Sequence, residues 1–137
     1  MRWGWQASRW APRGLKRLAD SAVVQAEVAR HEGWLGATEA YMRLTLREIW
    51  DAVQGNQIIA IPDRARVRLA CAHAIQTAAD VADFAYKAAG TDAIVPGSAF
   101  ERRFRDIHTV TQQIQAPAAH FEAVGEVLLG LDVGMFY

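Results

Sequence analysis

"SAVVQAEVARHEGWLGATEAYMRLTLREIWDAVQ" spans residues 21–54, and its inward-type side chains return every three or four positions. Val24, Val28, His31, Leu35, Thr38, Met42, Leu46, Ile49 and Val53 then fall on one stripe of an α-helix. A half-buried strand would need a period of two, which this segment lacks. Asp20 or Ser21 supplies an N-cap, and "GNQ" at 55–57 ends the helix near Gln54. Gly33 and Gly36 each cost about 1 kcal/mol against alanine inside a helix. A helix that keeps both is expected to have another backbone pressed close to it.

The rest of the chain continues in the same style. Pro62 suits the first turn of a second helix, which runs to about Ala89 and stops at Gly90. Its stripe reads Val67, Ala70, Cys71, Ala74, Ile75, Ala78, Val81, Ala85, so alanine lets neighbouring helices come close. "AGTDAIVPG" is a loop, and Ser98 with Glu101 forms the S-x-x-E capping box that opens a third helix, reaching about Gln115. Pro117 starts a fourth, to about Leu129. No segment alternates with period two. The expected fold is all-α, an antiparallel up-and-down helical bundle with two long helices followed by two shorter ones.

Composition limits the function classes. A chain of 137 residues, 52% hydrophobic and 22% charged, is the size and make-up of one globular domain. Fifteen acids balance fifteen bases, so no net charge points to nucleic acid. No apolar run reaches membrane-spanning length, and "MRWGWQASRW" lacks the apolar core of a secretory signal. The single cysteine, Cys71, excludes an internal disulfide framework and fits a reducing compartment. The expectation is a cytoplasmic protein with neither nucleic-acid nor membrane partner. Residues 1–20 stand apart, with Trp3, Trp5 and Trp10 among five cationic residues and the lone acid Asp20. They read as a segment docked on the first helix. A basic-aromatic patch for an anionic ligand or single-stranded nucleic acid is the other reading, but nothing downstream continues that pattern.

The densest polar stretch is "ERRFRDIHTVTQQIQ", residues 101–115. On a helix, Phe100, Phe104, Ile107, Thr111 and Ile114 make an inward stripe. Arg102, Asp106, Thr109 and Gln113 make a second stripe, with Arg102 and Asp106 an i,i+4 pair. Arg105, His108, Gln112 and Gln115 make a third. Such a helix has one face in the core and one in a cleft, a subunit contact or solvent. His31, His73, His108 and His120 share no ligand spacing, so no metal site is expected. His31 reads as a core histidine and Cys71 as a small inward hydrophobe. There is no glycine-rich phosphate motif and no hydrolase triad order. From the residues alone, the sequence is a helical bundle with a polar third helix.

Three motifs add a resemblance. "AAGTDAI" at 88–94, the Arg-Asp of "FRDIHT" at 104–109 and "VGEVLLG" at 124–130 resemble the C-terminal domain of the acyl-CoA dehydrogenase superfamily. The likeness is closest to the branch of flavin-dependent monooxygenases of aromatic and heteroaromatic substrates. "LADSAVVQAEVARHEGWLGATEAYMR", at 18–43, is similar to that family's long bundle helix, so the likeness covers about residues 12–137. It implies a subunit with an N-terminal helical domain, a central β-barrel domain and this bundle. Flavin, FAD or FMN, lies between barrel and bundle, and bundles of several subunits meet in a tetramer. Residues 21–137 correspond to the bundle alone, lacking its first helix.

The resemblance also implies roles. The monooxygenase branch places a histidine eight residues after the Arg of Arg-Asp; that position is Gln113 here. The dehydrogenase branch places a catalytic glutamate in the same turn, which reads "QQIQA" and holds no carboxylate. Glutamine donates and accepts hydrogen bonds but cannot serve as a general base near neutral pH. Arg105, Asp106 and Thr109 match the family, where the Arg-Asp pair mainly fixes the helix against its neighbours. Thr91 and Asp92 fall in a loop that approaches a neighbouring subunit's cofactor, and Gly90 keeps half of that loop's Gly-Gly pair. The implied cofactor-binding residues are Gly90, Thr91, Arg105 and Thr109, with Gln113 at the catalytic position. The implied function is part of a flavin-dependent oxidoreductase, inactive as a lone chain. It would be a homo-oligomer, dimer or tetramer, with a possible partner chain carrying the missing domains. The alternative is a non-catalytic oligomerisation module derived from that family.

Overall fold

The structure, a computed structural model, describes residues 18–131. Among them are four α-helices and no strand: α1 (Ala22–Gln54), α2 (Ile61–Ala89), α3 (Ala99–Val110) and α4 (Ala119–Leu128). Two long helices precede two short ones, as the sequence leads one to expect. Most of the Trp/Arg-rich stretch lies outside the described residues.

The caps follow from the sequence. The Ser21 hydroxyl accepts the Val24 N–H at 3.5 Å, opening α1. Its end is closed by the Gly55 N–H donating to the Asp51 carbonyl at 3.0 Å. Pro62 sits in the first turn of α2. Gly90 ends α2 with a φ of +56°, a left-handed value that a side chain disfavours. Ser98 caps α3 by accepting the Phe100 N–H at 3.2 Å. The reciprocal arm of the capping box is replaced, because the Glu101 carboxylate turns to Arg105 at 3.1 Å instead.

The third helix is shorter than its periodicity predicts. It stops at Val110, and residues 111–115 form tight turns. Thr109, Val110 and Thr111 are three β-branched residues in a row, which weakens a helix. The Thr111 hydroxyl donates to the His108 carbonyl at 2.7 Å, competing for a group the helix needs. Pro117 then restricts Ala116. The Gln113 N–H closes on the Val110 carbonyl at 3.0 Å, and its own carbonyl accepts the Ala116 N–H at 2.9 Å. Ile114 is consequently 78% exposed rather than on an inward stripe.

α2 is the spine on which α1, α3 and α4 each pack. It is buried on two faces. Ala65, Ala72 and Ala79 follow one line, while Ala70, Val81 and Ala85 lie roughly opposite at 100° per residue. A single predicted stripe captures only the second of these. The core is mostly alanine: eight of the ten buried apolar residues are Ala, which sets the helices close together. α1 meets this surface with His31, Thr38 and Thr45, spaced by seven. Leu46 and Val53, expected inward, are 45% and 50% exposed because the close approach leaves room only for smaller side chains. Nothing approaches within 4 Å of where a side chain would begin on Gly33 or Gly36, so the expected close backbone is not found among the described residues. Arg66 of α2 and Glu48 of α1 form an ion pair beside the interhelix turn. The Glu48 hydrogen bond and charge push the Arg66 guanidinium above its ordinary value.

Thr45 is fully buried, and its hydroxyl finds no partner among the described residues. An unpaired buried hydroxyl costs about 1–3 kcal/mol of desolvation. Thr45→Val keeps the shape and removes that cost. It should raise the urea midpoint, stabilising the bundle by about 1 kcal/mol.

Candidate functional site

The loop from Gly90 to Gly97 folds back against α3. A first 3₁₀ turn, Gly90–Ala93, anchors it: Ala93 is fully buried, and the Ile94 N–H donates to the Thr91 carbonyl at 3.3 Å. Gly97 takes a φ of +81°, which turns the chain into the Ser98 cap. Between this loop and the first two turns of α3 lies an open cavity of about 430 Å³. Ile94, Pro96 and Gly97 form one wall, and Glu101, Arg102 and Arg105 form the other.

The electrostatics of this cavity are cationic on balance, with two guanidinium groups against one carboxylate. Arg105 is held by Glu101 at 3.1 Å, one turn earlier. Arg102 lines the cavity and does not make the i,i+4 pair with Asp106 expected from the sequence. The Thr109 hydroxyl donates to the Arg105 carbonyl at 3.0 Å, so it can only accept from a ligand. Two forked donors beside apolar walls fit the phosphate-bearing part of a nucleotide. The carboxylate present is already bonded to an arginine, so the cavity offers binding and orientation rather than proton abstraction.

Of the five expected site residues, Arg105 lines this cavity among the described residues. Gly90 and Thr91 lie at the base of the same loop, and Thr109 is one turn beyond Arg105. Gln113 stands apart in the turn after α3, with its side chain exposed. An exposed turn residue whose main chain makes the turn bonds tolerates truncation. Gln113→Ala should change the stability by no more than about 0.5 kcal/mol, leaving the thermal midpoint nearly unmoved. A larger loss would assign Gln113 a structural role.

Sequence reasoning missed two features that hold α3 in place. His108 Nε2 lies 2.9 Å from Asp83 Oδ1 on α2, and the Phe104 ring packs 4.4 Å from Tyr86. Gln76 donates to the Ala116 carbonyl at 3.3 Å, pinning the turn beyond α3. Phe104 lies on the stripe expected inward, whereas His108 belongs to the polar third stripe, which reads as solvated; Asp83 and Tyr86 meet them from the side of α2 that carries Ala65, Ala72 and Ala79. His31 is where the sequence puts it. It is 7% exposed, stacks 4.4 Å from Phe84, and its Nδ1 donates to the Glu27 carbonyl at 2.7 Å. Cys71 is a free, half-buried thiol. Among the described residues, no three His, Cys, Asp or Glu side chains group as a metal site. No described helix is long and apolar enough to cross a membrane.

Comparison with known proteins agrees with this arrangement. A family model described as the C-terminal domain of acyl-CoA dehydrogenase matches residues 3–117. That range includes the loop and all of α3. The chain is also 26% identical over 127 residues to an indole-3-acetate monooxygenase of Pseudomonas putida. The alignment takes in 93% of this chain and 33% of that protein, so the chain spans about one third of the relative's length. With an all-helical bundle, the Arg-Asp helix and more than half of its length matched, this chain belongs to the acyl-CoA dehydrogenase C-terminal domain family.

Proposed function

We propose that the chain is the C-terminal bundle of a flavin-dependent oxidoreductase, with residues 21–137 forming the bundle and residues 1–20 leading into it. One relative is named for oxygenating indole-3-acetate, so an aromatic substrate is preferred over an acyl thioester. The observation that carries this reading is the cavity between the 90–97 loop and the Arg-Asp helix. There Arg102 and Arg105 hold the phosphate of FAD or FMN, while Gly90 and Thr91 shape the loop beside it. Thr109 accepts a hydrogen bond from the cofactor or substrate. The flavin, when bound, supplies the redox chemistry. Gln113 offers hydrogen bonds at the place of the family's histidine and moves no proton. Base chemistry then comes from another domain, substrate or water. The protein works in the cytoplasm as a homo-oligomer, dimer or tetramer, with the other domains supplied by a longer chain or a partner.

A second reading has its own support. Sixteen large hydrophobic residues are exposed among the described ones, more than a self-sufficient monomer needs. They favour a non-catalytic assembly module. A visible spectrum separates the two. Purified chain with added FMN or FAD should shift and sharpen the flavin bands, and Arg105→Ala should weaken that binding about tenfold, the order of one lost charge-assisted contact. No perturbation at high flavin, with a stable oligomer by light scattering, leaves the module reading.

A further inference from the structure

A second cavity lies in the cleft between α1 and α2. It measures about 280 Å³ and is lined by Trp34, Ala37, Thr38, His73, Thr77 and Asp80. Its floor is polar but satisfied. The Thr38 hydroxyl donates to Thr77 Oγ1 at 3.4 Å, which leaves its oxygen to accept the Nε2–H of His73 at 3.2 Å. Both threonines are buried, so this pairing belongs to the interhelix contact. It also orders the cleft. Glu48 meets Arg66 while Thr38 meets His73 and Thr77, so the two helices run antiparallel. Trp34, one turn before Thr38 on α1, is therefore level with the turn of α2 that carries Asp80.

The Trp34–Asp80 end has a different chemistry from the floor. The indole is half-exposed, yet it is held from behind. Its ring meets the buried His31 ring T-shaped at 4.9 Å, and His31 stacks 4.4 Å from Phe84. An indole fixed in this way presents its negative π face to a cation. Asp80 is exposed, and no ion pair among the described residues includes it. A carboxylate beside an indole selects a positive charge, in contrast to the arginine-lined cavity by α3. His73 lies about 10 Å along α2 from Asp80 at 1.5 Å per residue. The lining between them is small: Ala37, Thr38 and Thr77. A cavity of about 150 Å³ holds one benzene ring, so this cleft has room for a ring and a short arm.

We propose that the α1–α2 cleft binds a small arylalkylamine. Its ammonium group lies between the Trp34 indole and the Asp80 carboxylate, and its ring lies over Ala37 and the paired threonines. This goes beyond the flavoprotein reading and stands whether or not flavin binds.

The test is equilibrium dialysis of the whole chain, without flavin, against millimolar phenethylamine. The amine should bind saturably with one site per chain. Asp80→Asn keeps the shape and removes the charge at an exposed position. It should weaken binding about tenfold, the order of one lost charge-assisted contact. Trp34→Ala should weaken it to a similar degree by removing the π face. Phenylacetate, with the same ring and the opposite charge, should bind at least about tenfold more weakly than the amine, because it meets Asp80 as a like charge. If Trp34→Ala loses its helical circular dichroism, Asp80→Asn and phenylacetate decide the matter. Absence of saturable phenethylamine binding would overturn the proposal. So would an affinity unchanged by Asp80→Asn, or phenylacetate binding as tightly as the amine.

Discussion

Replacing Ala72 with leucine lowers the stability of the bundle by about 1–3 kcal/mol, the usual cost of forcing extra methylenes into a packed core. Ala72 has no exposed surface and lies on a line with Ala65 and Ala79 along α2. That helix is packed on two faces, so it cannot move away from one neighbour without pressing on another. The core holds few large side chains that could change rotamer to make room. For a domain of this size, a loss in that range lowers the thermal midpoint by several degrees. The same change at Ala40, an exposed position of α1, should be nearly silent in the same melt. A tolerated Ala72→Leu would mean that the helices are not held as close as the alanine core requires.

The second large effect concerns assembly. Leu46, Trp50 and Val53 on α1, with Ile58 in the connection that follows and Ile61 at the start of α2, are all exposed near one end of the helix pair. Large apolar side chains grouped in this way mark a contact rather than a free surface. Leu46→Asp combined with Trp50→Asp should weaken self-association by about a hundredfold or more, because two apolar anchors are lost and charges are buried in their place. The helical circular dichroism of the variant should persist, since neither side chain is part of the buried core. Sedimentation at a series of concentrations reads the change. An unaltered mass distribution would move the interface elsewhere.

These two results share a cause, and it also explains what the sequence could and could not reveal. Helix existence was plain, because Ser21, Pro62, Gly90 and Ser98 are local signals that do not depend on the rest of the fold. The end of α3 was less plain. Its apolar spacing continues through Ile114, and only the Thr109–Thr111 run and the turn bonds of Gln113 stop it. Burial was misread at Leu46 and Val53 because periodicity identifies an apolar face without saying what covers it. In this chain the small residues Thr38 and Thr45 meet the alanine spine, and the larger ones face outward. The arginines of the candidate site were visible in the sequence, but their partners were not. Glu101 serves as a cap residue by pattern and as the partner of Arg105 in space. The Asp83–His108 contact joins residues on two helices that no local pattern connects.

The most direct measurement is size-exclusion chromatography of the purified chain with excess FMN or FAD, monitored by light scattering and by flavin absorbance. The account predicts one peak at the mass of a dimer or tetramer, carrying flavin absorbance with it. A monomer peak with no co-eluting flavin would contradict it.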